Sequence, residues 1–273
     1  MVDFVQRLIT IISLLSDMDD TLRSAAASSC GEEDGAKCDE GEEEMREHRR
    51  TSLKDNRESV SCSLESALEC LSAIVQLTAV DALCTALGSD DLQQKLSLLL
   101  CRCSSSCFGS VAVSSVMLVG LLAQRDGQFR EQHNDSRMIQ PRINALLSNA
   151  LLRVIDTAST SASTVEGYEK LSIVDAAMSA IIDLHTADDP ELLQNFVRLN
   201  ALKKLGDCVL YFQTALHAAE RQPHRDPERM VDGDEEDSDG DGADRKEMFS
   251  DFNDTISNVR SFIEYKSLYC KNC

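Results

Sequence analysis

The chain has no tryptophan, 4 prolines and 12 glycines among 273 residues, and aromatic side chains make up 4% of it. An all-β sandwich needs a turn roughly every 8–12 residues, and so few turn formers cannot supply them. No stretch reads as a strand, which leaves helix as the class. Catalytic signatures are missing as well: there is no nucleophile elbow, no Walker loop and no dinucleotide glycine fingerprint. The 5 histidines, at positions 48, 133, 185, 217 and 224, are scattered. His185 and His217 fall near expected helix ends, where a surface or capping role is expected. These absences predict a protein that is not an enzyme and carries no cofactor.

Positive charge is also scarce. Lys and Arg number 27 against 47 Asp and Glu, a formal net charge of −20 with a pI near 4.6. Such a chain is repelled by phosphate backbones, so direct nucleic-acid binding is not expected, whereas a basic protein is attracted and steered. No convincing signal peptide is present, because the short apolar run at 8–15 follows Asp3 and runs into Asp17, Asp19 and Asp20. The 11 cysteines are an odd number, and Cys70, Cys84, Cys101 and Cys208 sit among apolar residues of helical segments, as free thiols do. A reducing compartment, cytoplasm and nucleus, is the expected location. Residues 104–124 carry no charge, but six serines make them too polar for a bilayer span. A helix buried on several sides accounts for them better, and no membrane association is expected.

What is present is helical periodicity. Residues 1–28 form an expected amphipathic helix with Phe4, Leu8, Ile11 and Leu15 on one stripe. Residues 29–60, rich in charge and poor in apolar side chains, are expected to be disordered. Residues 61–220 carry successive helices. Leu64, Leu68, Leu71 and Val75 share a face that continues to Leu87; Gly88 is placed to end that helix and Ser89 to cap the next. Residues 125–140 are expected to be a loop, and Pro141 opens a helix through Ile143, Leu147, Ala150 and Val154.

The region 171–219 reads as a helical hairpin. Leu171, Val174, Met178 and Ile181 line one arm; Leu192, Phe196, Leu199, Leu202, Leu205, Val209, Phe212 and Leu216 line the other. Between them Asp189-Pro190-Glu191 supplies an N-cap, a first-turn proline and an acid at the positive end of the helix dipole. Residues 221–247 form an expected acidic disordered loop, and 248–273 a last helix with Phe249, Phe252, Ile256, Val259 and Ile263 in phase. Arg260 and Glu264 are spaced as an i,i+4 ion pair. Antiparallel helix pairs with no strand predict an all-α, armadillo/HEAT-like α-solenoid with acidic disordered loops.

Two metal readings fail on spacing. Asp237, Asp239, Asp241 and Gly242 match the start of an EF-hand loop, but the twelfth position is Met248, with Glu247 one place early. Cys101 and Cys103, two apart on a helix, point in different directions, and Cys270 with Cys273 lacks a second pair. The acids best placed to meet a basic partner are Asp232, Asp234, Glu235, Glu236, Asp237, Asp239 and Asp241, with Glu42, Glu43 and Glu44.

From residue 174 onward the chain resembles the symportin family. The helix Val174-Asp175-Ala176-Ala177-Met178-Ser179-Ala180-Ile181-Ile182-Asp183-Leu184 is similar to that family's last HEAT repeat. Leu199-Asn200-Ala201-Leu202-Lys203-Lys204-Leu205, leading to Phe212, resembles its next helix. Asn258-Val259-Arg260-Ser261-Phe262-Ile263-Glu264-Tyr265-Lys266 resembles its closing element, after an enlarged acidic insert. Symportin-like proteins are helical adaptors that hold the two ribosomal proteins accompanying 5S RNA and carry them into the nucleus. The resemblance implies an adaptor and chaperone for those basic proteins in nuclear import and large-subunit assembly. The family's amino-terminal armadillo half, with its import-receptor signal, has no counterpart here. The chain is therefore expected to correspond to the carboxy-terminal part, with any import-receptor contact made by a missing amino-terminal part. Read without the resemblance, the same pattern predicts a generic α-solenoid scaffold for a helical peptide.

Overall fold

The structure, a computed structural model, describes residues 2–30, 40–105, 109–133, 136–160, 168–186, 190–221 and 241–270. Every regular element among them is a helix, as the composition implied: α1 (Val2–Cys30), α2 (Glu40–Leu77), α3 (Val80–Leu87), α4 (Asp90–Ser105), α5 (Ser110–Gln132), α6 (Pro141–Thr160), α7 (Tyr168–Thr186), α8 (Pro190–Arg198), α9 (Ala201–Arg221) and α10 (Asp241–Cys270). The chain divides into two compact units, Met1–Leu147 and Ser148–Cys273, so the boundary falls inside α6 and not at residue 60 or 220. The helix at 1–28 belongs to the first unit and is not a separate segment.

In the first unit α1 packs on α2, α3 and α4, while α5 packs on α2, α3 and α4. Leu68 and Leu71 of α2, Leu83 and Leu87 of α3, Leu100 of α4, and Leu118 and Leu122 of α5 are essentially inaccessible. Each such side chain contributes about 1.5–3 kcal/mol of burial, set against the entropy of ordering it. α1 buries Val5, Leu8, Ile9 and Ile12, and leaves Phe4 and Ile11 exposed. The expected stripe of Phe4, Leu8, Ile11 and Leu15 thus held in part: Leu8 is buried and Leu15 half-buried, but α1 is apolar on two faces, and spacing alone does not say which one meets the core.

Three further expectations change in this unit. Residues 40–60 are helical, as the first part of α2. Glu, Lys and Arg are good helix formers, and Arg57 reaches across to Asp19 of α1 at 3.5 Å, so the segment needs few apolar contacts to stay helical. Residues 125–132 extend α5 instead of forming a loop; their anchors are polar, and an apolar count overlooks them. The uncharged stretch 104–124 is not one span, since α4 ends at Ser105 and α5 starts at Ser110, with Val111, Val116, Leu118, Val119 and Leu122 buried along a broad face. Among the described residues only Glu47–Leu77 is long and apolar enough by composition to cross a bilayer, and its apolar stripe from Val60 to Val75 is buried in this unit.

The junction of α3 and α4 follows local chemistry. Ser89 caps α4 as expected, its hydroxyl accepting the Leu92 amide at 3.2 Å. Gly88 ends α3 with φ −66°, in the right-handed region, so it is not there for a left-handed turn. A Cβ at this position would lie 2.9 Å from the Cys84 carbonyl oxygen, and that close approach is what requires glycine.

In the second unit α10 packs on α7 and α9, and α8 on α9. α7 buries Val174, Ala177, Met178, Ile181 and Leu184; α9 buries Leu205, Cys208, Val209 and Phe212. The second arm of the expected hairpin is two helices, broken at Leu199 and Asn200, where Asn200 adopts φ 55°. Asparagine tolerates this left-handed conformation better than most residues, and its amide donates to the Val197 carbonyl in a tightened last turn. α8 opens at Pro190 as expected; Asp189 lies outside the described residues. α10 starts at Asp241, so residues 241–247, expected in a loop, are helical. Among its described side chains Ile256, Val259, Phe262 and Lys266 are buried, with Ile263 on the margin, while the side chains of Phe249 and Phe252 lie outside those described. Arg260 donates to Gln213 of α9 at 2.5 Å, an interhelical partner that sequence spacing could not supply.

Candidate functional site

Of the acids expected to meet a basic partner, Glu42, Glu43 and Glu44 lie in the first turns of α2, and Asp241 is the first residue of α10. Asp232, Asp234, Glu235, Glu236, Asp237 and Asp239 lie outside the described residues. The helical start at Asp241 is incompatible with an EF-hand, whose coordinating loop would run through 241–248. Among the described residues no group of three His, Cys, Asp or Glu side chains is placed to hold a metal.

Several described acids are engaged within the first unit. Asp17 and Asp20 of α1 hold Arg102 of α4 at 2.6 and 2.9 Å. Asp19, largely buried, meets Arg23 at 2.6 Å and Arg57 at 3.5 Å. Asp81 faces His133 at 2.6 Å, and Asp90 accepts from Arg142 at 3.4 Å and from Gln140. These pairs tie α1 to α2 and α4, and bind the ends of α3 and α4 to neighbouring segments.

The most constrained polar arrangement is a clamp on residues 136–140. Asp126 of α5, 5% exposed, accepts the Met138 amide at 2.7 Å and the Ile139 amide at 2.8 Å through one carboxylate oxygen. Gln93 of α4 donates to the Met138 carbonyl at 2.8 Å and accepts the Gln140 amide at 3.1 Å. Burial pushes the Asp126 carboxyl up from its ordinary value, opposed by the Ile139 and Met138 amides and by the charges of Arg130 and Arg137. The clamp seats Met138 and Ile139 in the core just before α6. Beside it, Gln93, Leu96, Leu100, Leu122, Ile139 and Ile143 line a cavity of about 20 Å³, room for about one water and no ligand. Nothing in the periodicity marks Gln93 or Asp126; the one sign is a polar residue at a position where the helix faces inward.

In the second unit Ser148 and His185 stand 2.9 Å apart, oxygen to Nε2, at 0% and 2% exposure. A hydroxyl next to an imidazole is the beginning of a nucleophile and base pair, but a pair this deeply packed offers no approach for a substrate. His185 is therefore a core residue and not the surface or capping group expected. Its ring lies 4.3 Å from Phe196, and Phe196 meets Phe262 edge-on at 5.9 Å. Lys266 lies over the rings of Phe262 and Tyr265, at 5.9 and 5.4 Å.

The thiols divide by environment. Among the described residues Cys62, Cys70, Cys84, Cys101, Cys103 and Cys208 are thiols outside any disulfide, with Cys62 and Cys70 exposed and Cys103 and Cys208 buried. Burial pushes the Cys103 thiol up to about 11, against the pull of a Ser16 hydrogen bond and Arg102. Native protein treated with a thiol reagent near pH 8 is expected to label Cys62 and Cys70 first, and Cys103 and Cys208 only on unfolding. Peptide mass spectrometry of the labelled chain checks this; early labelling of Cys103 would contradict the packing of α1 on α4.

No family model, curated protein or solved structure matches the chain.

Proposed function

We propose that the protein is a non-enzymatic adaptor that holds basic ribosomal proteins of the 5S RNP, in support of their nuclear import and large-subunit assembly. In this reading its helices stack as antiparallel HEAT-like pairs, and it works in cytoplasm and nucleus. The observation that carries it is the net charge of −20 on an all-helical chain whose last third resembles symportin. Further support comes from the placement of the resembling segments: they fall on α7, α9 and α10, which pack together in the second unit. With many described acids already paired internally, the attraction is assigned to the acidic segments at 232–241 and 42–44. Acids there stand in for RNA phosphates and mask Lys/Arg-rich tails.

The test is binding of purified 5S-associated ribosomal proteins from about 50 to 500 mM salt, a range over which the Debye length shortens severalfold. Affinity is expected to fall steeply with salt. Replacing the acids at 232, 234–237, 239 and 241 by their amides is expected to weaken binding by about tenfold or more, as loss of electrostatic steering does. Absence of binding at every salt concentration overturns the reading. Salt-independent binding of a helical peptide favours the alternative, a generic α-solenoid scaffold.

A further inference from the structure

The outer face of α1 is apolar and open. Phe4, Ile11, Leu14 and Met18 are 55%, 49%, 59% and 51% exposed. Their steps of seven, three and four are those of a coiled-coil seam, with Phe4, Ile11 and Met18 at a positions and Leu14 at d. Arg7 and Thr21 take the other two d positions. On a helical wheel this stripe is turned about 140° from the face formed by Val5, Ile9 and Ile12, so the same helix carries two apolar surfaces and commits only one to the core.

We propose that this second surface is a self-association seam, in which two copies of the chain pair their α1 helices antiparallel. The register that keeps the most layers sets Ile11 against the partner's Leu14, Arg7 against the partner's Met18 and Phe4 against the partner's Thr21. Two-fold symmetry then repeats each pairing, giving six layers over about 27 Å of helix. In that register the Arg7 stem lies along the partner's Met18, with its guanidinium free to reach solvent at the edge of the seam. On the flanks Thr10 meets the partner's Asp17 and Asp3 meets the partner's Ser24, so no acid faces an acid. A parallel pairing would instead set Arg7 against the partner's Arg7 within the seam. A basic helix from another protein fits less well, because Arg7 stands in the stripe and the nearby Asp17, Asp19 and Asp20 already pair with Arg102, Arg23 and Arg57.

This inference does not rest on the adaptor reading, and its salt dependence has the opposite sign. Two chains of charge −20 repel, so added salt strengthens an apolar seam between them. Sedimentation of the full chain at micromolar to submillimolar concentration is expected to show a monomer–dimer equilibrium that tightens from low to high salt. Ile11→Lys with Leu14→Lys is expected to leave the helical signal and melting curve intact, since both side chains are exposed, and to abolish the dimer. Arg7→Glu alone and Met18→Lys alone are each expected to weaken it about tenfold, a change of about 1.4 kcal/mol. The two together are expected to restore it, because only the antiparallel register brings the introduced carboxylate of one copy against the introduced ammonium of the other. Three results would overturn the proposal. They are a monomer at every concentration and salt, a dimer indifferent to the Ile11/Leu14 change, and a paired-charge variant no tighter than the single ones.

Discussion

Phe196→Ala is expected to destabilise the second unit by about 3–5 kcal/mol, the range for removing a large aromatic side chain from a packed core. Phe196 is 0% exposed and belongs to the nine-residue helix α8. Its ring stands between His185 of α7 at 4.3 Å and Phe262 of α10 at 5.9 Å, so one truncation opens a void against both helices. The neighbouring Val197, 54% exposed on the same helix, is the control: Val197→Ala is expected to stay within about 0.5 kcal/mol. Urea denaturation followed by circular dichroism gives the size of the loss. Hydrogen exchange gives its place, with amides of α7, α8 and α10 expected to lose protection before those of α2 and α5. Equal effects from the two substitutions would mean that α8 does not dock through Phe196.

Asp126 divides the two consequences of burying a carboxylate that also accepts hydrogen bonds. Asp126→Ala leaves the Met138 and Ile139 amides buried without an acceptor, at a cost of about 1–3 kcal/mol for each. Asp126→Asn keeps an acceptor oxygen in place and removes the buried charge. Because burial raises the carboxyl's folded-state value above its unfolded one, the folded chain binds the proton more tightly. Stability from this group is therefore fully present below the unfolded value and declines as pH rises through the folded one. Asp126→Asn is expected to flatten that decline and to equal or exceed the parent in stability at neutral pH. Denaturation midpoints of parent, Asn and Ala variants from acid to neutral pH check both signs. An Asn variant as unstable as the Ala variant would show that the charge itself holds the 136–140 segment.

Much of the helical pattern could be read from residue order. Ser89 caps α4 because a short hydroxyl next to Asp90 has few better local partners, and Pro190 opens α8 because its fixed φ suits a first turn. The failures have equally physical causes. At 40–60 and 125–132 the segments are held by Arg57 on Asp19, Asp126 on two amides and Arg125 on the Thr78 carbonyl, so a search for apolar side chains did not find them. The helix expected through 192–216 breaks at Asn200, a residue that suits either a helix or a left-handed break and whose choice depends on what packs around it. The acids assigned to a partner were legible as composition, and their number rather than their positions carries that reading.

By itself the sequence determined that this is a helical, strongly acidic chain, because scarce turn formers, three-to-four apolar spacing and net charge are properties of residue order and content. Tertiary structure alone decided which face of each helix is spent on the core. α1 shows why: Phe4, Ile11, Leu14 and Met18 obey helical spacing as well as Val5, Leu8, Ile9 and Ile12 do. Only the second set fits against α2 and α4, where Asp17, Asp19 and Asp20 reach Arg102 and Arg57. The same selection made His185 a core residue, since Ser148 and Phe196 lie far from it in the chain and meet it only when α6, α7 and α8 pack.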